Sequence, residues 1–455
     1  MHPAPNPLAA LAGAPIEEKA ALIQSFYERI VFHESGIMYS MMKIDGDTVR
    51  PFEPRDFEGI ESFDFEGWRI RPKGPWEYRN NENSITTSGI YLASQVYRYL
   101  ATGDDEAMTQ ALKAFHSLDL IYRFGEDDDR PGWMGKPYGF RLSDQTSGDQ
   151  YHDATWGLFS FLEIAPEQER RRAEEMLIGF ADHWRKIDYT IFYLKHTWSN
   201  KHEEHSYNAI FMAINLIAYH LTGDPVYKAE SDRFQKISRW KTETGVGAWK
   251  RKIRSGEIGD WMFNRLVEDH LGPNEFLCWE TTIHCKFTAV AAEIIHKLYP
   301  DIVSEPELVE TLETWWKTWP IGMDEDLMPY YYFIVDVEKD TWRPAPRTKR
   351  LPRDQWILGQ PGLSYTSRKR WMEPLARFLV TSVITAEHST SMHAPSIELA
   401  KRIMENVDEI RIKWQHDPDE KQIVPDNADI KSVLSSEVPA SYLATFWRGR
   451  RQGYW

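Results

Sequence analysis

The stretch Ala209-Ile-Phe-Met-Ala-Ile-Asn-Leu-Ile-Ala-Tyr-His-Leu-Thr-Gly-Asp224, followed by Pro225, decides the fold predicted for this chain. It is almost continuously apolar, which indicates a helix that is buried on most sides. Gly223 is expected to end this helix, because glycine adopts the left-handed conformation that stops a last turn. Pro225 cannot continue the same helix. The stretch therefore predicts one buried helix with a sharp end.

The end of this helix recurs elsewhere in the chain. Tyr219-His-Leu-Thr-Gly-Asp224 matches Tyr99-Leu-Ala-Thr-Gly-Asp104, and Leu298-Tyr-Pro-Asp301 is a weaker third copy. In each case a mostly apolar helix ends in a short turn, and a more charged, amphipathic helix follows. Such helix pairs cannot bury their apolar faces alone, so we expect them to stack on one another.

The helical pattern runs through most of the chain. The predicted helices are 16–31, 88–104, 106–123, 149–163, 166–186, 209–224, 226–240, 276–298, 306–319, 370–386, 395–412 and 441–448. An inner ring of apolar helices inside an outer ring of charged helices is an (α/α)6 toroid. We predict this all-α fold as a single domain over residues 1–455, with an open solenoid as the alternative. Aromatic stretches broken by Gly and Pro, at 36–83 and 320–363, are predicted as irregular loops at the surface and cleft.

Composition excludes some classes of function. The formal net charge of −15 argues against a general nucleic-acid binder, which would carry a basic surface. The sequence contains no uninterrupted run of apolar residues long enough for a membrane span. The N-terminus lacks the pattern of a secretory signal, so a cytoplasmic location is expected. The two cysteines, Cys278 and Cys285, are predicted as buried thiols.

Polar residues stand at the starts of the predicted inner helices. If these helices form one ring, their N-termini point to the same end and should line one cleft. The starts are residues 82–88, 147–153, 202–208 and 279–284. Capping alone favours Ser, Asp and Asn, and does not explain repeated His, Tyr and Gln. We therefore predict the functional site at this end of the ring.

The residue types at these positions suit β-elimination from a uronic-acid glycan. This reaction needs a group that neutralises the substrate carboxylate, a base for the C5 proton and a proton donor for the leaving oxygen. His205 is predicted as the base or neutralising group, and Asn208 and Arg141 as carboxylate partners. Tyr151 or Tyr207 is predicted as the proton donor. We therefore predict a lyase that acts on an acidic oligo- or polysaccharide.

Further polar and aromatic residues of the same helix starts are predicted to bind the substrate. They are Asp149, Gln150, His152, Trp198, His202, Glu280 and His284. Glu280 and His284 are four residues apart, so they share one face if the helix includes both. A metal site is not predicted, because the spacing of the histidines at 196, 202 and 205 matches no known ligand pattern. No cofactor is expected.

Two other classes of function remain as alternatives. A glycoside hydrolase needs two carboxylates about 5 to 9.5 Å apart. Asp149 or Asp153, together with Glu280, would supply that pair, and Glu203 and Glu204 are further candidates. The third class is a non-catalytic helical scaffold that binds a partner on its concave face. The sequence leaves open whether two copies of the chain form a homodimer.

One segment resembles a known enzyme family. Asn200-Lys-His-Glu-Glu-His-Ser-Tyr-Asn-Ala209 is similar to the Asn-His-Ser-Tyr helix start of toroid alginate lyases, with the His, Ser and Tyr in register at 205–207. The resemblance implies an alginate- or glucuronan-type polysaccharide lyase in which His205 acts on the C5 proton. Glu204 stands where that family has the Asn that binds the carboxylate. This role would therefore pass to Asn208 or Asn200.

A second resemblance supports the same fold. Pro131-Gly-Trp133, Ser147-Gly-Asp-Gln-Tyr151 and Trp156-Gly-Leu158 resemble a pattern of bacterial toroid proteins that degrade carbohydrates. The paired Asp motifs of unsaturated glucuronyl hydrolases, which share the toroid, are not recognisable here. The resemblances together cover roughly residues 84–224, and they imply a carbohydrate-active enzyme.

Overall fold

A computed structural model describes most of the chain. The described residues are 4–59, 65, 67–193, 196–199, 206–237, 266–279, 284–316, 323, 325–328, 332–336, 338–339, 341–348, 351–355, 370–371, 373–413, 415–416 and 433–455. No helix within these ranges has the length and apolar character needed to cross a membrane.

Twelve long helices account for most of the described residues. They are α1 (Ile16–Phe26), α2 (Ser84–Thr102), α3 (Asp105–Asp127), α4 (Gly148–Phe161), α5 (Glu167–Lys186), α6 (Ser206–Thr222), α7 (Pro225–Ile237), α8 (His284–Leu298), α9 (Glu305–Trp316), α10 (Glu373–His388), α11 (His393–Asn406) and α12 (Glu437–Arg451).

The even-numbered helices form a closed ring. α2 packs on α4, α4 on α6, α6 on α8, α8 on α10, α10 on α12, and α12 packs back on α2. The odd-numbered helices lie outside this ring, with α3 on α2, α5 against α4 and α6, α7 on α6, α9 against α8 and α10, α11 on α10 and α1 on α12. The predicted (α/α)6 toroid is confirmed, and the open solenoid is excluded. The sixth pair, α1 and α12, joins the two ends of the chain.

The division into rings follows the distribution of apolar residues. In α6 every residue from Asn208 to Ala218 is buried, because this helix is enclosed by neighbours on all sides. In α5 the buried residues from Ala173 to Trp184 recur at helical spacing on one face, and the first turns, Glu167 to Arg172, are mostly charged. A helix with an apolar stripe covers the core on one side and faces water on the other.

The repeated helix ends have the geometry expected from the sequence. Gly103 and Gly223 adopt left-handed conformations, with φ of 68° and 70°. Their N–H groups donate to the carbonyls of Tyr99 and Tyr219, at 2.7 and 2.8 Å. In the third copy, the N–H of Tyr299 donates in the same way to the carbonyl of Ile295, at 2.7 Å. The chain thus reverses after each of these inner helices and continues into the outer layer.

Two glycines allow α2 and α4 to approach closely. A Cβ atom on Gly89 would lie 2.1 Å from the carbonyl oxygen of Asp153. A Cβ on Gly157 would lie 2.4 Å from the carbonyl oxygen of Gly89. Neither position has room for a side chain, so both must be glycine at this helix separation.

Two predicted helix starts are wrong. The segment Glu275–Trp279 is a strand, β6, and α8 begins only at His284. Arg370–Trp371 is likewise a strand, β9, and α10 begins at Glu373. A short apolar run has no period that separates strand from helix, and pairing with a neighbouring strand decides between them.

Short strands precede four of the inner helices, α6, α8, α10 and α12. A four-stranded antiparallel sheet has the order β1 (Ala4–Pro5), β3 (Thr48–Arg50), β2 (Met41–Asp45) and β11 (Val433–Ser435). Another sheet has the order β6, β7 (Tyr332–Asp336) and β8 (Thr341–Pro344). A hairpin pairs β4 (Thr190–Tyr193) with β5 (His196–Ser199), and a two-stranded sheet pairs β9 with β10 (Gln415–His416), which follows α10 and α11 in the chain. The stretches predicted as irregular therefore contain strands, and 36–83 also contains a short helix, Pro75–Asn81.

Candidate active site

The N-termini of the inner helices meet at one end of the ring. The backbone N–H of Thr86, in the first turn of α2, donates to Oε1 of Gln150 in the first turn of α4, at 3.3 Å. The hydroxyl of Thr87 bonds that of Ser436, directly before α12, at 2.8 Å. At the other end of the ring, the rings of Tyr219 and Tyr299 stack just where α6 and α8 end. This parallel arrangement is the one that the polar helix starts predict.

Buried charged residues connect the inner helices just inside this end. Nζ of Lys286, on α8, lies 2.7 Å from Oδ1 of Asp153 on α4. Nε of Arg377, on α10, donates to Oε1 of Glu437 on α12 at 2.9 Å. α4 and α8 are separated in the ring by α6, so the first pair crosses the interior of the toroid. Charges are costly to bury unless they are paired, and here two cations balance two carboxylates.

His152 forms a dyad with the next residue. Its Nδ1 lies 2.9 Å from Oδ1 of Asp153, and its ring packs on Phe287 with centroids 4.6 Å apart. Burial lowers the pKa of His152, outweighing the opposing effect of Asp153. Burial also opposes ionisation of Asp153, but Lys286 and His152 outweigh it and lower the pKa of that carboxyl. A neutral imidazole that donates from Nδ1 has its Nε2 lone pair available as a base.

Several buried polar atoms of this region have no hydrogen-bond partner among the described residues. They are Nε2 of His152, Oδ2 of Asp153, both amide atoms of Asn208 and Oε2 of Glu437. These atoms come from the first turns of α4, α6 and α12, around the ammonium of Lys286 on α8. Buried polar groups are normally hydrogen-bonded, so a cluster of such atoms marks a place where a polar ligand can bind.

A second polar cluster lies at the rim. Glu82, just before α2, accepts hydrogen bonds from Lys136 and from the hydroxyl of Tyr138. The hydroxyl of Tyr193, on β4, donates to the same carboxylate at 2.6 Å. The ammonium of Lys136 also lies over the ring of Tyr193, 4.5 Å from its centroid. These contacts attach the β4–β5 hairpin to the N-terminal end of the ring.

Several of the predicted site residues lie at this end with their side chains described. Asp149, Gln150 and His152 occupy the first turns of α4, and Asn208 lies in the first turn of α6. Asp149 is half-buried and the other three are buried. Gln150 bonds the start of α2 through Thr86 and through the amide oxygen of Asn83, at 3.2 Å, so it joins two inner helices.

Tyr151 lies on the opposite side of α4. Its hydroxyl donates to the carbonyl of Gly132 at 2.8 Å and accepts from the N–H of Met134 at 2.7 Å. Its ring packs edge-on against Phe180 and Trp184 of α5. Burial raises the pKa of this hydroxyl. The position argues against the predicted role as proton donor, because both hydrogen-bonding capacities of the hydroxyl serve the backbone.

Arg141 is engaged by a neighbouring carboxylate. Its Nη2 donates to Oε2 of Glu77 at 2.7 Å, and its Nη1 donates to Oε1 of the same residue at 3.2 Å. This two-pronged geometry is the one in which arginine binds carboxylates most strongly. The contact is an alternative to the predicted substrate contact, since a substrate carboxylate would have to displace Glu77.

The remaining predictions fall wholly or partly outside the described residues. His202, His205 and Glu280 lie outside them, as do Glu203 and Glu204. The backbone of Trp198 pairs with Ile191 in the β4–β5 hairpin. Tyr207 is the second residue of α6, and His284 is the first residue of α8. The side chains of these last three are outside the described part of the protein.

The sequence analysis missed Lys286, Arg377 and Glu437. A signal for the two cations was present, since each interrupts a mostly apolar inner helix: Cys285-Lys-Phe-Thr-Ala-Val-Ala-Ala292 and Leu375-Ala-Arg-Phe-Leu-Val380. A lone cation in such a run must be paired inside the protein, because lysine and arginine are almost never buried without a partner.

Another charged cluster lies near the C-terminal ends of the inner helices. Atoms of Glu293, Glu387 and His388 are close enough together to hold a metal ion. Nε of Arg448 donates to Glu387 at 2.6 Å, and its Nη1 donates to Glu293 at 3.0 Å. The guanidinium thus already supplies the positive charge that these carboxylates need. We interpret this cluster as an ion-pair network that joins α8, α10 and α12.

No family model and no curated protein matches this chain. Among solved structures, a D-mannose isomerase is 11% identical, with 96% of this chain and 97% of that chain covered and a TM-score of 0.49. A sugar epimerase from a ruminal bacterium is 12% identical, with coverage of 96% and 98% and a TM-score of 0.49. An unsaturated glucuronyl hydrolase specific for heparin is 10% identical, with coverage of 95% of each chain and a TM-score of 0.47. Since one fold hosts many chemistries, the side chains of the site, and not the fold, indicate the function.

Proposed function

We propose that this chain is a carbohydrate-processing enzyme that cleaves a uronic-acid-containing glycan by β-elimination, at the N-terminal end of the inner ring. The observation that carries the proposal is the His152–Asp153 dyad. Burial keeps the imidazole neutral, and Asp153 orients it so that Nε2 can accept a proton. A correctly oriented neutral histidine is the general base that removal of a carbon-bound proton requires.

The proposed step balances protons and electrons. His152 Nε2 takes the C5 proton, and the electron pair of the C5–H bond forms the C4=C5 double bond. The C4–O4 bond breaks, and O4 leaves with its electron pair and takes up a proton. The donor of that proton remains the predicted Tyr207, at the start of α6. General acid and base catalysis of this kind contributes about 10²- to 10⁴-fold each.

Glycoside hydrolysis is the second candidate, because two carboxylates lie around the same ammonium. Oδ1 of Asp153 is 2.7 Å and Oε1 of Glu437 is 4.0 Å from Nζ of Lys286. Hydrolysis also needs a carboxyl group that stays protonated, with a raised pKa. The pKa of Asp153 is instead lowered, and Glu437 is paired with Arg377. These ion pairs favour the elimination over hydrolysis.

The products of the two reactions distinguish them. The protein is incubated with glucuronan, alginate and related acidic polymers, and ultraviolet absorbance and reducing ends are followed together. A lyase produces the absorbing C4=C5 bond with each new reducing end. Reducing ends without absorbance would establish the hydrolase instead. Absence of both signals over a broad panel would overturn the enzyme proposal and favour a binding scaffold.

A matched pair of histidine variants tests the dyad. We expect His152→Gln to lower kcat by about 10²-fold or more, because glutamine cannot accept the proton. His220→Gln is the control, since His220 is exposed near the C-terminal end of α6, at the opposite end of the ring. An unchanged rate in His152→Gln would remove His152 from the mechanism. His205→Ala tests the other predicted base under the same conditions.

A further inference from the structure

We infer that Lys286, together with Asn208, forms the subsite that binds the carboxylate of the substrate and so selects an acidic sugar over a neutral one. This inference rests on the proposed function and assigns specificity within the same site. It replaces the predicted carboxylate partner Arg141 with a cation from the interior of the ring, and it keeps the predicted Asn208.

The geometry of Lys286 supports this role. Its side chain is fully buried, in the first turn of α8. Its Nζ lies 2.7 Å from Oδ1 of Asp153, so one N–H of the ammonium is directed at that carboxylate. An ammonium has three N–H donors, and no second acceptor among the described residues bonds this Nζ. Two donors are therefore left for another acceptor, such as the carboxylate of a ligand.

Other described cations at this end already donate to a partner. Arg141 forms two hydrogen bonds with Glu77. Lys136 donates to Glu82 and, at 3.2 Å, to the hydroxyl of Tyr193. Arg377 donates to Glu437. Lys286 can therefore bind a ligand carboxylate through its two remaining N–H groups while it keeps its contact with Asp153.

Asp153 contacts both the proposed base, His152, and the cation, Lys286. Nδ1 of His152 and Nζ of Lys286 contact the same oxygen, Oδ1, at 2.9 and 2.7 Å. In a uronate the carboxyl carbon is bonded to C5. A carboxylate on Lys286 therefore brings the C5 proton into the neighbourhood of His152. As the C5–H bond breaks, negative charge develops on this carboxylate, and a preorganised ammonium stabilises it.

Asn208 supplies a neutral donor at the same end of the ring. It lies in the first turn of α6, which packs on both α4 and α8. Its side chain is fully buried, and neither amide atom has a partner among the described residues. We expect its Nδ2 to donate to the second carboxylate oxygen, because an amide adds a hydrogen bond without adding a charge.

The test compares two ligands that differ in one group. D-glucuronate and D-glucose share the ring, and only glucuronate carries a carboxylate. By calorimetry we expect the wild-type protein to bind glucuronate at least about tenfold more tightly, as expected for charge-assisted hydrogen bonds. Lys286→Met should abolish this preference. Lys297→Met, an exposed position on the same helix, should keep it. A preference that persists in Lys286→Met would overturn the inference.

A second variant keeps the test usable if Lys286→Met does not fold. The double variant Asp153→Asn with Lys286→Met removes one charge of each sign, so it keeps the interior balanced if Lys286→Met alone is unfolded. A crystal of the wild-type protein with glucuronate gives an independent reading. We expect the carboxylate within hydrogen-bond distance of Lys286 Nζ and Asn208 Nδ2. A carboxylate bound elsewhere would contradict the assignment.

The outcomes separate the inference from the proposed function. His152→Gln should retain the preference for glucuronate while losing turnover. If the preference depends on Lys286 but no polymer gives an elimination product, the subsite stands and the lyase proposal fails. If elimination occurs and Lys286→Met still prefers glucuronate, the lyase proposal stands and the subsite is wrong.

Discussion

Asp153 and Lys286 form a fully buried ion pair across the interior of the toroid, with Oδ1 and Nζ 2.7 Å apart and neither side chain exposed. The two residues belong to α4 and α8, which are separated in the ring by α6. The pair therefore links two helices through the inside of the ring. It also keeps Asp153 ionised beside His152, so one contact serves both the fold and the proposed base.

This pair makes a prediction for stability. Asp153→Asn or Lys286→Met alone should lower the free energy of unfolding by about 3–5 kcal/mol, because each leaves one buried charge without its partner. The double variant should lose much less than the sum. Urea unfolding of the four proteins measures this coupling. Strictly additive losses would show that the two side chains do not stabilise one another.

The lowered pKa of His152 makes a prediction for the pH dependence of activity. Burial disfavours the imidazolium, so the base form persists below the ordinary pKa of 6.5. The acid limb of the pH profile of kcat/KM should therefore have an apparent pKa below 6.5. Asp153→Asn removes the carboxylate that favours the charged form of His152, so among folded variants it should shift this limb to still lower pH. A wild-type acid limb above pH 6.5 would contradict the assigned environment of His152.

The position of Tyr151 predicts a structural effect. Tyr151→Phe keeps the ring against Phe180 and Trp184 but removes the hydroxyl that bonds Gly132 and Met134. Loss of these bonds should cost about 1–3 kcal/mol of stability, because the buried backbone groups lose their partner. The kcat of the folded variant should stay within about threefold of wild type, whereas general-acid catalysis is worth about 10²-fold or more. A loss of that size in Tyr151→Phe would restore Tyr151 as the proton donor.

His388 predicts how stability depends on pH. It contacts Glu293 at 3.1 Å and Glu305 at 3.4 Å. Burial alone would lower the pKa of His388, but Glu293 outweighs this effect and raises it. A raised folded pKa gives stability that is fully present below the unfolded value of 6.5 and is lost as pH rises through the folded value.

The matched variant is His388→Gln, which cannot titrate. Melting temperatures measured from mildly acidic to mildly alkaline pH should decline less steeply in this variant than in the wild-type protein. Parallel declines in the two proteins would show that another group is responsible. A steeper decline in His388→Gln would mean that the pKa of His388 is not raised.

Some structural elements are predictable from the sequence because they depend on neighbouring residues. Gly103 and Gly223 end their helices in the left-handed conformation, which glycine adopts at little cost. The apolar helices and their amphipathic partners indicate stacked pairs, and the contacts confirm a closed ring. In contrast, the strand at 275–279 could not be predicted from neighbouring residues, because it pairs with β7, which lies far along the chain.

The sequence predicts where the candidate site lies but only partly which side chains form it. The structure places Gln150, His152 and Asn208 at the end of the ring that the polar helix starts indicate, and their roles in a site stay predictions. The sequence alone does not show that Tyr151 faces the outer layer while His152 faces the interior. Adjacent residues of a helix point about 100° apart, so the rotation of α4 about its axis decides which of them reaches the site.

Local conformation and the burial of apolar faces therefore make most of the helices, their sharp ends and the polar end of the ring predictable from the residues alone. The contact of Asp153 with Lys286 depends on closure of the ring, which brings α4 and α8 together across the interior. Contacts between residues so far apart in the chain require the positions of all the helices between them.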